Sequence, residues 1–513
     1  MKQLYTRVKD YLSHNALYLF FLPLFFILNG YNQLFGFIPA IEVSINTGAI
    51  LLLMLLFYFP TRLLFLSSSK AAVFTFIITL VILAFGYLHD TLKDFFPGSA
   101  IIKYKYLLPV LGLGAALLVF VLYRTKNTLS GTVLYLNTLM ICLFASEVYN
   151  TFKTYQTNLT VQNLIDPNFS VYNQYKPAEK LADSSKPDIY FLIFDEMGGS
   201  AALKDCWNID NSFIDTFLTK KGFYVVPYAR SNYSWTVHSV STTFNMNYMA
   251  DTLIPLLDDP KSYLYATNSF LNNSLMSILK KEGYDIFQYQ PISFGIKDLP
   301  GKPFFYKYRY YHFFYKTLPG RIHRDIYWNL SIKRKVQNMT EHNNEKDRIL
   351  KYILGKVKES ASKKDQQKFV YGHFLIPHDP YIYDSSGNLL TPTLNPKRKK
   401  SDGIKEYEQQ LYYADKLIQE LVTHIQTNNK KNTVIIVAGD HGYRYYTHPG
   451  QDYMYRNMNA IYFPDGNYQT LYPTMSSVNT FRIVLNKYFD AKLPMLKDES
   501  IYITPQTQTR FVK

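Results

Sequence analysis

Cysteine is scarce in this sequence: the 513 residues include only two. Cys142 lies in an apolar run and Cys206 in the polar part of the chain, so the two are not expected to meet. A fold that depends on disulfides is therefore excluded, and the cysteine content says little about the cellular compartment. The sequence also contains no internal repeat, and its length is enough for two or three domains.

Acidic residues are outnumbered by basic ones. The chain has 55 Lys and Arg residues against 39 Asp and Glu residues, which gives a formal net charge of +16. Such an excess of positive charge suits an anionic membrane surface, nucleic acid or a phosphorylated substrate. Aromatic residues are abundant instead, with 46 Tyr and 37 Phe, enough for a large core and for the aromatic belts of a membrane protein.

Apolar runs dominate the N-terminal third of the chain. Each of them approaches the ~20 residues that a helix needs to cross a bilayer. They span residues 15–36, 44–66, 71–89, 106–123 and 131–149. A cleaved signal peptide would account for the first run only. The sequence therefore predicts a transmembrane helical domain of about five helices over residues 1–149.

Basic residues are distributed unevenly around these runs. They precede the first run and lie between the second and third and between the fourth and fifth: Lys2, Arg7, Lys9, Arg62, Lys70, Arg124 and Lys126. The first loop on the opposite side has no Lys or Arg, and the second has Lys93, Lys103 and Lys105. The positive-inside rule then places the N-terminus in the cytoplasm, and five crossings place everything after residue 150 outside it.

The remainder of the chain has a different distribution of polar and apolar residues. Residues 150–186 are polar and read as a linker, and residues 187–513 as an extracytoplasmic domain. Short apolar runs alternate there with helix-like stretches, of which 405–428 is the clearest. The runs are PDIYFLIFD from residue 187, GFYVVPYA (222–229), YDIFQYQ (284–290), KFVYGHFLI (368–376) and NTVIIVAGD (432–440). This alternation predicts an α/β domain with a mostly parallel central sheet.

Residues 302–335 combine basic and aromatic side chains. That composition suits a segment that lies at a lipid headgroup layer. A solvated face over ordinary core aromatics would have the same composition, and the sequence leaves both interpretations open. Nucleic acid is not expected as a partner, because the segment is predicted to lie outside the cytoplasm.

Hydroxyl side chains crowd the stretch SNYSWTVHSVSTTFNMNYM, residues 231–249. Ser and Thr compete with the backbone for hydrogen bonds, so a helix built for stability alone would not choose them so often. Elsewhere, one apolar run ends in Asp195 and Glu196, and another ends in Asp440 and His441. Ligands bind beyond the carboxyl ends of parallel strands, and carboxylates with an imidazole suit a divalent metal ion. Such an ion lowers the pKa of a coordinated hydroxyl, which would then act as a nucleophile.

At these positions the chain resembles the alkaline phosphatase superfamily. PDIYFLIFDE is similar to the opening strand of that superfamily, and VIIVAGDHG to its closing Asp-His motif. TVHSVSTTFNMNYM has the layout of the sulfatase signature, with Thr236 at the nucleophile, Ser239 at the signature serine and Tyr248 at the late tyrosine. The signature's Pro and Arg are replaced by His238 and Val240, and threonine does not give the formylglycine aldehyde. Sulfate-ester hydrolysis by that route is therefore not expected.

A threonine nucleophile behind transmembrane helices instead resembles lipoteichoic-acid synthases and phosphoethanolamine transferases. By that resemblance the metal ligands are Asp195, Thr236, Asp440 and His441, and Glu196 is an alternative or additional ligand. The ion is expected to be Mn, Zn or Mg. His378, in HDPY, resembles a histidine that contacts the substrate phosphate, and His448 matches a histidine after the DHG motif. His373 and Arg444 are further candidates for substrate binding.

The resemblance implies a metal-dependent, membrane-anchored transferase. It would move a phosphorylated headgroup from a phospholipid donor to an extracytoplasmic glycan or lipid acceptor, through a phospho-threonine. The expected location is a cell membrane, a bacterial inner membrane by the same resemblance. Two alternatives stay open at this point: a sulfatase-like phosphodiesterase or sulfuric ester hydrolase, and a non-catalytic membrane scaffold with this fold.

Overall fold

The computed structural model describes residues 2–33, 35, 38, 40–163, 171–177, 186–249, 266–267, 269–291, 313–327, 332–363, 367–392, 400–429, 432–444, 452–503 and 508–512. Within them the chain folds as two compact units. One comprises residues 1–160 together with 305–331, and the other comprises residues 161–304 together with 332–513.

The helices of the described residues are, in chain order, α1 (Lys2–His14), α2 (Tyr18–Gln33), α3 (Ala40–Phe65), α4 (Ser68–Phe95), α5 (Tyr104–Arg124), α6 (Ser130–Asn163), α7 (Val171–Gln174), α8 (Ser200–Trp207), α9 (Ser212–Lys220), α10 (Thr236–Asn245), α11 (Ser274–Lys281), α12 (Leu318–Ile322), α13 (Ile332–Ala361), α14 (Lys400–Asn428) and α15 (Ser477–Phe489). The strands are β1 (Asp188–Phe194), β2 (Tyr224–Val225), β3 (Asp285–Tyr289), β4 (Lys368–Phe374), β5 (Thr433–Gly439), β6 (Asn459–Tyr462), β7 (Glu499–Ile503) and β8 (Gln508–Val512).

The first unit is built from apolar helices. Among the described residues, four helices are long and apolar enough to cross a membrane: Ile41–Phe65, Ser68–Phe95, Tyr104–Arg124 and Ser130–Gln156. The helices α1 and α2 meet at 82° and together could supply a fifth crossing. The predicted membrane bundle of about five helices is therefore confirmed, although the first apolar run forms a bent pair. Helix α6 continues to Asn163, into the stretch that the sequence assigned to a linker.

Helix α4 is the central helix of this unit. Of its most apolar stretch, 56% is buried within the protein, compared with 11% for the corresponding stretches of α3 and α5. Residues 313–327 pack against it, although they come much later in the chain. The Gly86 amide donates to the Lys316 carbonyl at 2.8 Å. Arg321 forms an ion pair with Asp90.

Part of the basic and aromatic stretch 302–335 thus belongs to the membrane unit. Tyr104, at the start of α5, donates a hydrogen bond to Asp325, and Lys316 donates to Gln33. These bonds favour the membrane interpretation of residues 313–327 over a freely solvated face. The rest of the stretch at 302–312 and 328–331 lies outside the described residues.

The second unit has a six-stranded sheet in the order β2-β6-β5-β1-β4-β3. Strand β1 pairs in parallel with β4 and β5, and β3 pairs in parallel with β4. Strand β6 runs antiparallel to β5 and β2, so the sheet is mostly parallel, as predicted. The apolar run at 222–229 contributes only the two-residue edge strand β2. The helix predicted over 405–428 is present as α14.

Two hydrophobic cores cover the faces of the sheet. Tyr190, Leu192 and Phe194 face a core that includes side chains of α9, α13 and α14. The alternate residues of β1 face a second core formed with α10, α11 and α15. All seven residues of β1, of β4 and of β5 are buried, which explains their nearly continuous apolar sequences.

The pairing register of β1 and β5 places their carboxyl ends at one edge of the sheet. Phe194, the last residue of β1, is paired with Gly439, the last residue of β5. The next residues along the two strands are Asp195 and Asp440. The two acids therefore emerge side by side at the carboxyl edge of the sheet, where ligands bind in sheets of this kind.

Candidate active site

Three predicted metal ligands converge at this edge. Ligand atoms of Asp195, Asp440 and His441 all lie within 4.8 Å of one another. Their side chains are almost completely buried, at 1%, 2% and 0% exposure. Two carboxylates and an imidazole so close together, and away from water, need a compensating charge.

The lone pairs of these residues point toward one another. Among the described residues, Asp195 Oδ1 and Asp440 Oδ2 are buried and have no hydrogen-bond partner. His441 Nε2 lies 3.8 Å from the first oxygen and 3.3 Å from the second. The Nδ1–H of His441 donates to the Gly442 carbonyl at 2.9 Å, which leaves Nε2 as the ligand nitrogen. This donor set fits a divalent cation.

The protonation states of the three groups are consistent with such a site. Burial and the negative charge of Asp195 raise the pKa of Asp440 to about 6. Burial by itself raises the pKa of Asp195, but the charge that His378 carries when protonated and a hydrogen bond from His373 outweigh it and lower that pKa. Burial and the charge of Arg444 lower the pKa of His441 to about 3, so its ring is neutral and able to bind a metal ion.

Thr236 is the first residue of α10, and its Oγ1 lies 3.5 Å from His441 Nε2. The preceding residue, Trp235, has no side-chain acceptor and does not cap the first turn. The N–H groups of that turn and the positive end of the helix dipole thus lie beside the hydroxyl. A helix N-terminus with this arrangement favours a phosphate group on Thr236.

The other signature residues of this stretch have structural contacts. Ser239 donates to the Asp440 carbonyl, which fastens α10 to the end of β5. Tyr248 donates to the Lys497 carbonyl at 2.7 Å and accepts from the Glu499 amide at 2.9 Å. The hydroxyls of Ser239 and Tyr248 therefore hold this stretch to neighbouring backbone, whereas the Thr236 hydroxyl lies beside the ring nitrogen of His441 that faces the paired acids.

The Glu196 carboxylate faces Arg444. Its backbone has a φ of 65°, and its carboxylate accepts from the Arg444 amide at 3.1 Å and from Arg444 Nε at 3.4 Å. Its ligand oxygen groups instead with His378 and Asp379. Glu196 contributes to the first cluster through its backbone, since its N–H donates to Asp440 Oδ1 at 2.9 Å. The carboxylates of Asp195 and Glu196 thus belong to different groups of potential ligands, and the role of Glu196 as a metal ligand stays a prediction.

His378 and Arg444 meet in a cleft of about 910 Å³ that Glu196 and Trp235 also line. Arg444 Nη2 lies 3.1 Å from His378 Nε2, and the guanidinium lies over the Trp235 ring at 5.1 Å. The surrounding acids raise the pKa of His378 against the effect of its burial. In this arrangement, however, Nε2 accepts from Arg444, so protonation of the ring requires Arg444 to move away.

His373 lies beside Asp195 and is not among the residues that line the cleft of His378 and Arg444. It is buried in β4, where its Nε2 donates to Asp195 Oδ2 at 3.3 Å. Its Nδ1 accepts from the Tyr371 hydroxyl at 2.8 Å. His373 therefore orients Asp195 instead of lining the cleft. His448 lies outside the described residues.

Two residues that hold the His378 loop could not be found from the sequence. Lys346 of α13 is buried, and its Nζ donates to the His378 carbonyl at 2.7 Å and the Pro380 carbonyl at 3.0 Å. Gln410 of α14 donates to the Pro377 and His378 carbonyls. Both lie in long polar helices, where a lysine or glutamine is normally solvated. No signal in one sequence separates them from their exposed neighbours.

The fold and the acidic, histidine-containing edge agree with the resemblance to the alkaline phosphatase superfamily. The sulfatase family model matches residues 211–484, just over half of the chain. The protein belongs to the sulfatase family.

The solved structures to which this chain is similar include an integral membrane protein and a periplasmic domain. The integral membrane lipooligosaccharide phosphoethanolamine transferase A of Neisseria meningitidis is 16% identical, with 92% of this chain and 95% of that chain covered and a TM-score of 0.39. The periplasmic domain of EptC from Escherichia coli, in complex with zinc, is 15% identical over 65% and 94%, with a TM-score of 0.39. A putative sulfatase of Bacteroides fragilis is 12% identical over 65% and 86%, with a TM-score of 0.41. No curated protein sequence matches the chain.

Proposed function

We propose that this protein is a metal-dependent membrane phosphotransferase. It would move a phosphorylated headgroup from a phospholipid donor to an extracytoplasmic glycan or lipid acceptor, through a phosphorylated Thr236. The supporting observation is the position of the Thr236 hydroxyl, at the N-terminus of α10 and 3.5 Å from His441 Nε2, beside the paired acids Asp195 and Asp440.

A divalent ion held by Asp195, Asp440, His441 and Thr236 would supply a lowered pKa for the threonine hydroxyl and charge compensation for the phosphoryl group. Thr236 Oγ, having lost its proton to solvent, would attack the phosphorus, and the bond from phosphorus to the diacylglycerol oxygen would break. His378, protonated after Arg444 turns to the phosphoryl oxygens, would give its proton to the departing oxygen.

In the second half-reaction, a hydroxyl of the acceptor would attack the same phosphorus. The bond to Thr236 Oγ would break, His378 would take the proton of the incoming hydroxyl, and Thr236 would be restored in the ionised form that attacks the next donor. The N–H groups at the start of α10 would bind phosphoryl oxygens in both steps, because Thr236 is the first residue of that helix whether or not it carries the phosphoryl group.

The membrane helices support a lipid donor, because they would anchor the protein in the bilayer that contains this substrate. We infer an extracytoplasmic orientation from the distribution of Lys and Arg, with a bacterial inner membrane as the proposed location. His238 and Val240 stand at the Pro and Arg positions of the sulfatase signature, which argues against formylglycine chemistry in this member of the family.

The proposal can be tested with the full-length protein in vesicles that contain headgroup-labelled phospholipids. Release of diacylglycerol should require a divalent metal ion and should be lost on Thr236→Ala, while Thr236→Ser retains part of the rate because the hydroxyl remains. Label that appears on an added lipid or glycan identifies a transferase. Label that appears only in water-soluble headgroup identifies a hydrolase instead, and absence of any turnover with all donors favours a non-catalytic role.

A further inference from the structure

Gln290 follows β3, which is an edge strand of the sheet. The residues of β3 are exposed or half-buried, yet Gln290 is only 2% exposed. Its Nε2 is buried and, among the described residues, has no hydrogen-bond partner. Leaving a buried amide donor unpaired costs about 1–3 kcal/mol, so an apolar residue would serve a purely structural role better.

The register of the sheet places Gln290 at the site edge. Tyr289 is paired with Gly372 of β4, so Gln290 is level with the next residue of that strand, His373. Both side chains line a small gap of about 10 Å³ that Thr236 also lines. Gln290 and Thr236 thus line one gap, and Gln290 does so from the β3 edge of the sheet.

The gap is polar at only a few positions. His373 has both ring nitrogens committed, to Asp195 and to Tyr371. Apolar side chains of Val237, Val240 and Phe270 form other parts of the wall. Such a volume holds a single oxygen atom or one water molecule, and Gln290 Nε2 is a donor that remains available to it among the described groups.

We propose that the Gln290 amide donates a hydrogen bond to one oxygen of the phosphoryl group on Thr236, directly or through the one water that the gap can hold. This inference rests on the proposed phospho-threonine. Gln290 would be the hydrogen-bond donor to the phosphoryl group on the β3 side. The N–H groups at the start of α10 and the Arg444 guanidinium would be separate donors. The phosphoryl oxygen carries more negative charge in the transition state than in the lipid, so the hydrogen bond would strengthen there.

Replacement of the amide by groups of similar size tests the proposal. Gln290→Leu removes the donor, and Gln290→Glu keeps the length but offers a carboxylate. Both should slow phosphorylation of Thr236 by about 10²-fold or more, as loss of one oxyanion donor does, with little change in KM. Gln288→Leu is the matched control, because Gln288 lies two residues earlier on β3 and does not line the gap; its rate should equal that of the wild type.

The measurements are the rate of Thr236 phosphorylation, followed by mass spectrometry of its peptide, and the melting temperature. A wild-type rate in Gln290→Leu would overturn this inference alone. A slow Gln290→Leu variant that Gln290→Glu restores would also overturn it, since shape and not the amide would then matter. If the wild type forms no adduct on Thr236 with any phospholipid, the proposed function fails and this inference fails with it.

Discussion

At the scale of single residues, the neighbouring acids Asp195 and Glu196 have different surroundings. Asp195 continues the direction of β1 and joins Asp440 and His441. The backbone of Glu196 is left-handed, with a φ of 65°, and its carboxylate is turned to Arg444. The sequence could identify this pair of acids, but their division of roles depends on one backbone conformation fixed by tertiary contacts.

Metal content should distinguish these two residues. Asp195→Asn should lower bound divalent metal by at least tenfold, because a charged ligand is lost. Glu196→Gln should leave the metal content close to that of the wild type, because only its backbone N–H contacts Asp440. Elemental analysis of both purified variants, matched for melting temperature, measures the difference. Equal loss in the two variants would contradict the assignment of Asp195 as the ligand.

Lys346 should give stability a measurable pH dependence. Burial lowers the pKa of its ammonium to about 8 from 10.5. Between these values the unfolded chain holds more protons than the folded one, so stability rises with pH, and below pH 8 the cost of the buried charge is fully present. The free energy of unfolding should rise by about 2 kcal/mol between pH 7.5 and 9.5 from this group.

Denaturation of wild type and Lys346→Met at several pH values checks this expectation. The variant loses two hydrogen bonds to the His378 loop, so it is expected to be less stable overall. The informative quantity is the difference in slope with pH, which isolates the ammonium. Parallel pH profiles for the two proteins would show that Lys346 keeps its ordinary pKa in the folded state.

At the scale of elements, the apolar runs along the chain were enough to predict the central strands of the second unit. The central strands are buried on both faces, and their apolar runs therefore stand out. Asp195 and Asp440 could be placed together because each ends such a run. Strand β2 is only two residues long, so its apolar run overstated the length of the strand. The orientation of His373 could not be predicted from sequence, because strand direction alone does not tell which neighbour its ring contacts.

The packing of residues 313–327 was beyond what sequence could decide. Basic and aromatic residues suit both a membrane surface and a solvated face, and only the contacts with α4 separate the two. The close approach depends on a glycine: a Cβ at Gly86 would lie 2.6 Å from the Lys316 carbonyl oxygen. Gly86 therefore allows backbone contact that no other residue at this position permits without a shift.

Gly86→Leu should detach this segment. We expect a loss of about 1–3 kcal/mol in stability from the steric conflict, and trypsin cleavage at Arg321, whose side chain is only 7% exposed in the folded protein. Gly112→Leu in α5 is the matched control, because a Cβ there meets nothing within 4 Å. Limited proteolysis in detergent compares the two. Resistance of Gly86→Leu equal to that of the control would contradict the role of this contact.

At the scale of the whole molecule, the orientation in the membrane decides which substrates the second unit can meet. A reporter fused after residue 128 should be cytoplasmic, and one fused after residue 160 should be external. Helix α6 lies between the two positions and is long enough to cross a membrane, and the basic residues near its start favour the cytoplasmic side. A cytoplasmic signal from both fusions would contradict the extracytoplasmic location.

The central claim is that Thr236 carries the phosphoryl group during transfer. Its most direct test is mass spectrometry of the peptide containing Thr236, after the metal-loaded, full-length protein is incubated with donor phospholipid and no acceptor. A phosphorylated headgroup should accumulate on Thr236, and it should be absent from Thr236→Ala and from protein treated with a chelator. If label instead maps to Ser234, Ser239 or Ser241, or if Thr236→Ala keeps full activity, the assignment of Thr236 as the nucleophile is contradicted.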